Sequence, residues 1–170
     1  MQGNNSPAKP EPKPDLELMR RAIELAGQRM RGGHGGPFGA LVVKDGQVIA
    51  EGWNQVTSTN DPTAHAEIMA IRKAGQSLGN FSLAGCVLYS SCEPCPMCLA
   101  AAYWARLDAV FFTGTRRDAD QAGFVDGFLY DEVAKPMEQR KLPMKRLDEL
   151  RPAVLRLFQE WREKEDKVPY

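Results

Sequence analysis

The chain has 170 residues, of which 43% are hydrophobic and 26% charged, so it is long enough to fold as one soluble domain with its own core. Lysine plus arginine and aspartate plus glutamate both number 22, and this zero formal charge argues against a partner held mainly by charge, such as bulk nucleic acid or an anionic membrane. No apolar run approaches the roughly 20 residues that span a bilayer, and the first residues lack the apolar core of a secretory signal, so we expect a cytoplasmic protein without a membrane partner.

The N-terminal part predicts a tail, a helix and a loop. Residues 1–14 contain four prolines and hardly any large apolar side chain, which predicts a disordered tail ahead of one domain at 15–170. Asp15 is a plausible N-cap, and apolar residues then recur at helical spacing up to about Arg31. The glycine-rich stretch 32–37 ends this helix in a loop.

Strand and helix patterns alternate along the rest of the chain. Two β-prone runs, 38–43 and 48–53, flank Asp45-Gly46 and predict a hairpin. Further strands are predicted at 86–90, at 109–113 and at 144–147. Helices are predicted at about 65–74, 93–106, 128–134 and 152–166. We therefore expect an α/β fold in three layers, α/β/α, with a mixed five-stranded sheet flanked by helices.

The cysteines are clustered in the sequence. All four lie close together, at Cys86, Cys92, Cys95 and Cys98. A disulfide framework would join distant segments, which this cluster cannot do, so the thiols are interpreted as metal ligands or redox groups.

A histidine and two of these cysteines have the chemistry of a zinc site. His65, Cys95 and Cys98 offer one imidazole and two thiolates, three ligands for tetrahedral zinc with a fourth position open to water. Cys95 and Cys98 are three residues apart at a predicted helix start, so both sulfurs can reach one ion. Glu67 need not bind the metal and is placed to move a proton between the activated water and a leaving group. These features favour a catalytic site over a structural one.

The His-x-Glu and Pro-Cys-x-x-Cys pattern resembles the cytidine deaminase-like superfamily of zinc deaminases. Within that superfamily, the chain is most similar to the small bacterial guanine deaminases, over about residues 16–170. The runs that carry the resemblance are GPFGA at 36–40, NDPTAHAE at 60–67, SCEPCPMC at 91–98, YWAR at 103–106, and AGF at 122–124 with Asp126.

The resemblance implies zinc-dependent hydrolytic deamination of guanine to xanthine and ammonia, with one zinc ion per chain on His65, Cys95 and Cys98. It implies that Glu67 shuttles the proton and that Asp126 is a second proton carrier. The substrate contacts that it implies come from Phe38, Asn54, Ala66, Trp104 and Tyr170. It also implies a homodimer, and a C-terminal segment at about 150–170 that closes the site.

The nearest alternative is a tRNA adenosine deaminase, because those enzymes share the run DPTAHAEIMA at 61–70 almost letter for letter. Cys92 before Glu93, the Leu-Ala-Ala run at 99–101 and the segment 118–130 favour the guanine type instead. The zero net charge agrees, because a tRNA-docking surface should carry excess lysine and arginine.

The same motifs leave further functions open. A nucleoside or cytosine deaminase would share them. Cys92 extends the pair to Cys-x-x-Cys-x-x-Cys, which resembles part of an iron–sulfur run, and Cys95-x-x-Cys98 alone resembles a redox motif. A protein that binds zinc only to keep its fold is the non-enzyme candidate, and Glu67 argues against it because a structural site has no use for a shuttle carboxylate.

Overall fold

A computed structural model describes residues 11–169 of the chain. The helices are α1 Leu16–Arg31, α2 Val56–Thr59, α3 Ala66–Leu78, α4 Pro96–Trp104, α5 Arg116–Gln121, α6 Gly127–Ala134 and α7 Arg151–Glu163. The strands are β1 Gly39–Lys44, β2 Gln47–Trp53, β3 Cys86–Cys92 and β4 Ala109–Gly114. Short 3₁₀ turns lie at Met137–Gln139 and Asp148–Leu150.

The four strands form one mixed sheet in the order β2-β1-β3-β4. The predicted hairpin is confirmed, because β1 pairs antiparallel with β2. β1 also pairs antiparallel with β3, and β3 pairs parallel with β4. The mixed α/β architecture is thus confirmed.

The prediction of a fifth strand at 144–147 is wrong for the part of the chain that the structure describes, where residues 143–147 have no regular secondary structure. The reason lies in the pattern of side chains. The two apolar residues, Met144 and Leu147, are three positions apart with Lys145 and Arg146 between them, which is not the alternation of a half-buried strand.

Each face of the sheet packs against helix. Leu41, Val43 and Tyr89 point to one face, where Ala22 and Leu25 of α1 cover them. The side chains of Val42 and Leu88 point to the other face, against a row of alanines on α3, namely Ala66, Ala70 and Ala74. α4 packs beside α3 through a small cluster of Ile68, Cys95 and Cys98. The alternation of side chains along each strand therefore builds the expected three layers, with α3 and α4 together on one side.

Two glycines let the helices lie against the sheet backbone. A Cβ on Gly39 of β1 would lie 2.4 Å from the carbonyl oxygen of Ala22 in α1. A Cβ on Gly52 of β2 would lie 2.1 Å from the carbonyl oxygen of Ala66, the first residue of α3. Both positions therefore exclude any side chain, and the second fixes how closely the start of α3 approaches the sheet.

The chain divides into two units, one that ends at Asp126 and one that begins at Gly127. The first contains the sheet and α1 to α5. The second contains α6 and α7, and no side chain in its described part, 127–169, is buried. None of the helices within 11–169 is both long and apolar enough to cross a membrane. The predicted tail lies largely outside the described residues, and 11–14 have no regular structure.

Candidate active site

Three potential metal ligands come together where α3 and α4 begin. His65 is the N-cap of α3 and Cys95 is the N-cap of α4, while Cys98 lies in the first turn of α4. Pro96 occupies the first helical position of α4, where its missing N–H costs no hydrogen bond and its fixed φ favours helix. The local sequence thus starts both helices at the ligands, and the positive ends of two helix dipoles favour thiolates there.

The geometry of this cluster fits zinc. The Nδ1 atom of His65 lies 3.6 Å from the sulfur of Cys95 and 3.6 Å from the sulfur of Cys98. Zinc–sulfur bonds of about 2.3 Å and zinc–nitrogen bonds of about 2.0 Å at a tetrahedral angle place sulfur and nitrogen about 3.5 Å apart, close to these distances. All three donor atoms lie within 4.8 Å of one another. Two thiolates and one imidazole are also a donor set that zinc prefers, and they leave its fourth position open.

The three groups hold protons unequally. A hydrogen bond from Cys98 lowers the pKa of the Cys95 thiol to about 4. The same hydrogen bond, together with burial, raises the pKa of Cys98. The hydrogen bond to Cys95 also raises the pKa of His65. These shifts favour a thiolate at Cys95 and proton retention at Cys98 and His65, and a divalent cation would compete with protons for these groups.

Glu67 is a buried carboxylate beside the ligands. It lies in the first turn of α3 with 6% of its surface exposed. Burial raises its pKa, so the carboxylate takes up a proton more readily than one in water. Its Oε1 atom accepts a hydrogen bond of 3.2 Å from the hydroxyl of Ser90, which is also buried. A carboxylate whose pKa is raised toward neutrality is better suited to accept a proton than one in water.

A cavity of about 230 Å³ opens onto these groups. Most of the predicted site residues line it together. From that set the lining includes Phe38, Asn54, His65, Ala66, Glu67, Cys95 and Asp126. The structure therefore brings these residues, which are far apart in sequence, to one concave site at the carboxyl ends of β3 and β4.

Asn54 presents a fixed amide to the cavity. Its Oδ1 atom accepts hydrogen bonds from the backbone N–H groups of Gly36 and Val56, each 3.3 Å long. Because these donors identify the oxygen of the amide, the Nδ2 group is the part left to face a ligand. Asn54 can therefore donate a hydrogen bond to an acceptor on a bound molecule.

Aromatic rings line the cavity. Phe38 and Phe124 meet edge to face, with ring centroids 4.8 Å apart and an interplanar angle of 83°. Such a pair holds its two rings in a preferred arrangement and offers flat apolar surface. A planar heterocycle is a suitable ligand for a site with this lining.

Asp126 contributes a second carboxyl group. Its Oδ1 atom is buried and lacks a hydrogen-bond partner among the residues that the structure describes. Burial raises the pKa of Asp126, and the charges of Cys95 and Asp120 add to the effect, while Arg116 opposes it. A buried carboxyl oxygen with an unmet hydrogen-bonding capacity is positioned to contact a ligand.

The cavity also contains residues that the motif did not predict. Glu93 and Arg116 line it, and the carboxylate of Glu93 accepts the backbone N–H of Arg116 at 2.9 Å. Arg116 begins α5, a helix absent from the predicted elements. The sequence signal for this helix is Thr115-x-x-Asp118, because these two residues form a capping box at its start. Cys92, which the zinc motif does not use, lines the cavity too, and burial raises its pKa to about 11.

Two of the predicted substrate contacts stand apart. Trp104, at the end of α4, is not among the residues that line the cavity, and 70% of its surface is exposed. A contact of Trp104 with substrate therefore stays a prediction. Tyr170 lies outside the described residues.

Comparisons with known proteins agree on one family. The cytidine and deoxycytidylate deaminase zinc-binding region matches residues 12–114. The guanine deaminase of Bacillus subtilis is 52% identical over 156 residues, 90% of this chain and 97% of that protein. Its crystal structure superposes with a TM-score of 0.86 and covers 93% of this chain and 99% of that one. A tRNA-specific adenosine deaminase from Buchnera aphidicola is 36% identical over 65% of this chain and 70% of that protein.

Proposed function

Because the chain belongs to the family of cytidine and deoxycytidylate deaminases with a zinc-binding region, we propose that it hydrolyses guanine to xanthine and ammonia. The observation that carries this proposal is the buried carboxylate of Glu67 beside the His65, Cys95 and Cys98 cluster, at the base of a cavity with an aromatic wall. The similarity to a guanine deaminase extends along most of the chain, whereas the similarity to tRNA deaminases covers a smaller part.

The metal contributes one chemical property. Zinc would be held by His65, Cys95 and Cys98, and when bound it would lower the pKa of a water molecule far below its ordinary value, to about 7. The protein groups supply the rest. Glu67 takes a proton from the attacking water as its oxygen bonds to the carbon that carries the exocyclic amine. Glu67 then returns the proton to that nitrogen, the carbon–nitrogen bond breaks, and ammonia leaves.

The wall residues position the base. Asn54 donates its Nδ2–H to an acceptor on the purine, and Phe38 and Phe124 hold the flat ring. Asp126 accepts a hydrogen bond from an N–H on the guanine edge. It also carries the second proton, which leaves the added hydroxyl and passes to a ring nitrogen as the carbonyl of xanthine forms. A site of fixed donors and acceptors discriminates strongly among bases, because a wrong base leaves buried polar groups unpaired. It stays a prediction that Trp104 and Tyr170 contact the substrate and that the segment at about 150–170 forms a lid over the site.

We further propose that the protein is a cytoplasmic homodimer. α4 exposes Leu99, Tyr103 and Trp104 by 41%, 78% and 70%, and tyrosine and tryptophan are enriched where proteins associate. A second copy is the partner that we propose for this patch. Free thiols at Cys86 and Cys92 and the thiolate ligands suit a reducing compartment. Light scattering on a sizing column tests the assembly: a dimer is expected, and Tyr103→Glu should give a folded monomer.

The activity is tested by loading the protein with zinc and measuring ammonia released from guanine, guanosine, cytosine, cytidine, adenine and tRNA. Guanine is the expected substrate. Release from tRNA or cytidine without release from guanine would overturn the proposal. Glu67→Gln should keep one zinc per chain and lose about 10²- to 10⁴-fold in kcat, the usual contribution of general acid–base catalysis. Glu51→Gln, the same change outside the cavity, is the matched control.

A further inference from the structure

Ser90 is a buried polar residue where an apolar one would be ordinary. It lies in β3, an inner strand, paired with Ala40 of β1 and Phe112 of β4. Cys86 and Leu88, four and two positions earlier, point to the same face as Ser90 and are fully buried in the core against α3. Burial of a hydroxyl in such an apolar row costs free energy unless the hydroxyl makes a hydrogen bond.

The hydroxyl has one specific contact. The Oγ atom of Ser90 donates to Oε1 of Glu67 at 3.2 Å, and the two residues are 2% and 6% exposed. The terminal torsion of a glutamate has only broad preferences of its own, so contacts decide where its carboxylate plane lies. The carboxylate of Glu67 also interacts with its own backbone and with the thiol of Cys98. Rotation of the carboxylate away from Ser90 would sacrifice the hydrogen bond from the hydroxyl.

We propose that Ser90 is a positioning residue that fixes the carboxylate of Glu67, so that Oε1 is held by the hydroxyl and Oε2 faces the reacting atoms. Ser90 does not touch the substrate and acts only through Glu67. This inference rests on the proposed function for its kinetic consequence, but the hydrogen bond itself can be tested separately.

A matched pair of variants isolates the hydroxyl. Ser90→Thr and Ser90→Val have the same shape and the same preference for strand, and they differ in whether a hydroxyl is present. We expect the threonine variant to retain most of the wild-type kcat. The valine variant should lose about 10- to 100-fold in kcat, the usual effect of removing the support of an active-site group, with zinc content and KM for guanine close to those of the threonine variant.

Two controls separate positioning from folding. Ser91→Ala removes a hydroxyl from the opposite face of the same strand, where it accepts the backbone N–H of Gly39, and should change the melting temperature without changing kcat. In a Glu67→Gln background, Ser90→Val should cause no further loss relative to Ser90→Thr, because the residue through which Ser90 acts is already altered. Equal kcat for the two variants, or an undiminished difference in that background, would overturn the inference.

Crystal structures of the two zinc-loaded variants give a measurement independent of turnover. The carboxylate of Glu67 should keep its orientation in the threonine variant and rotate in the valine variant. An unmoved carboxylate in both would refute positioning by Ser90. If the wild-type protein releases no ammonia from guanine, the proposed function fails, while this structural comparison still decides the role of Ser90.

Discussion

Asn54 offers a sharp test of how the cavity recognises its ligand. In the wild-type protein, the backbone nitrogens of Gly36 and Val56 each lie 3.3 Å from Oδ1 of Asn54. Asn54→Asp keeps an oxygen in this place to accept both N–H groups, so the fold should be preserved. The change replaces the Nδ2 donor with a second oxygen, which faces the same acceptor on the base. Leaving a buried polar group unpaired costs about 1–3 kcal/mol, or about 5- to 150-fold in kcat/KM, and the extra negative charge near Glu67 and Asp126 adds to the loss.

The assay is the kcat/KM for guanine at saturating zinc, together with the melting temperature. Asn54→Asp should lose about 100-fold in kcat/KM and melt close to the wild type. Asn54→Ala should lose both activity and stability, because it leaves the two backbone N–H groups without their acceptor, at about 1 kcal/mol each. If Asn54→Asp turned over guanine as well as the wild type, Asn54 could not be a donor to the substrate.

Three further predictions concern the metal and the packing of α3. Cys98→Ser should abolish tight zinc binding, measured by metal analysis after dialysis, whereas Cys92→Ser should retain one zinc per chain. Zinc affinity should fall as the pH falls, by about tenfold per pH unit for each proton that zinc displaces. The reason is that the pKa values of His65 and Cys98 are raised in the metal-free protein, so zinc must remove protons that these groups hold below those pKa values. A dissociation constant for zinc that does not vary with pH would contradict this prediction. Gly52→Ala should cost about 1–3 kcal/mol of unfolding free energy by forcing a Cβ into the backbone of α3, while Gly127→Ala, whose Cβ would have nothing within 4 Å, should cost little.

The metal cluster could be predicted from sequence because its geometry is local. Cys95 and Cys98 share a helix face through a spacing of three residues, and His65 and Cys95 each stand at a helix start marked by turn residues or proline. Only the approach of the two helix starts depends on the whole fold. The motif supplied that information through its resemblance to a known family.

The rest of the site depends on long-range packing that no local pattern reveals. Arg116 reaches the cavity because α5 folds back after β4, and its backbone is held by Glu93 from another loop. The resemblance places Trp104 in the wall of the cavity, but its surface position at the end of α4 depends on which face of that helix packs against α3. The wrong prediction of a strand at 144–147 has a different cause, because the apolar residues there fit no strand periodicity and the local pattern itself argues against a strand.

The glycine contact beneath α3 has a consequence for attempts to redesign specificity. Gly52 brings main chain against main chain at Ala66, so the helix start that carries His65 and Glu67 rests on atoms with no rotamers to adjust. Phe38 and Phe124, by contrast, present side chains that can be exchanged. To change which base the protein accepts, substitutions should therefore be made in the side chains of the cavity wall, and the start of α3 should be left unchanged.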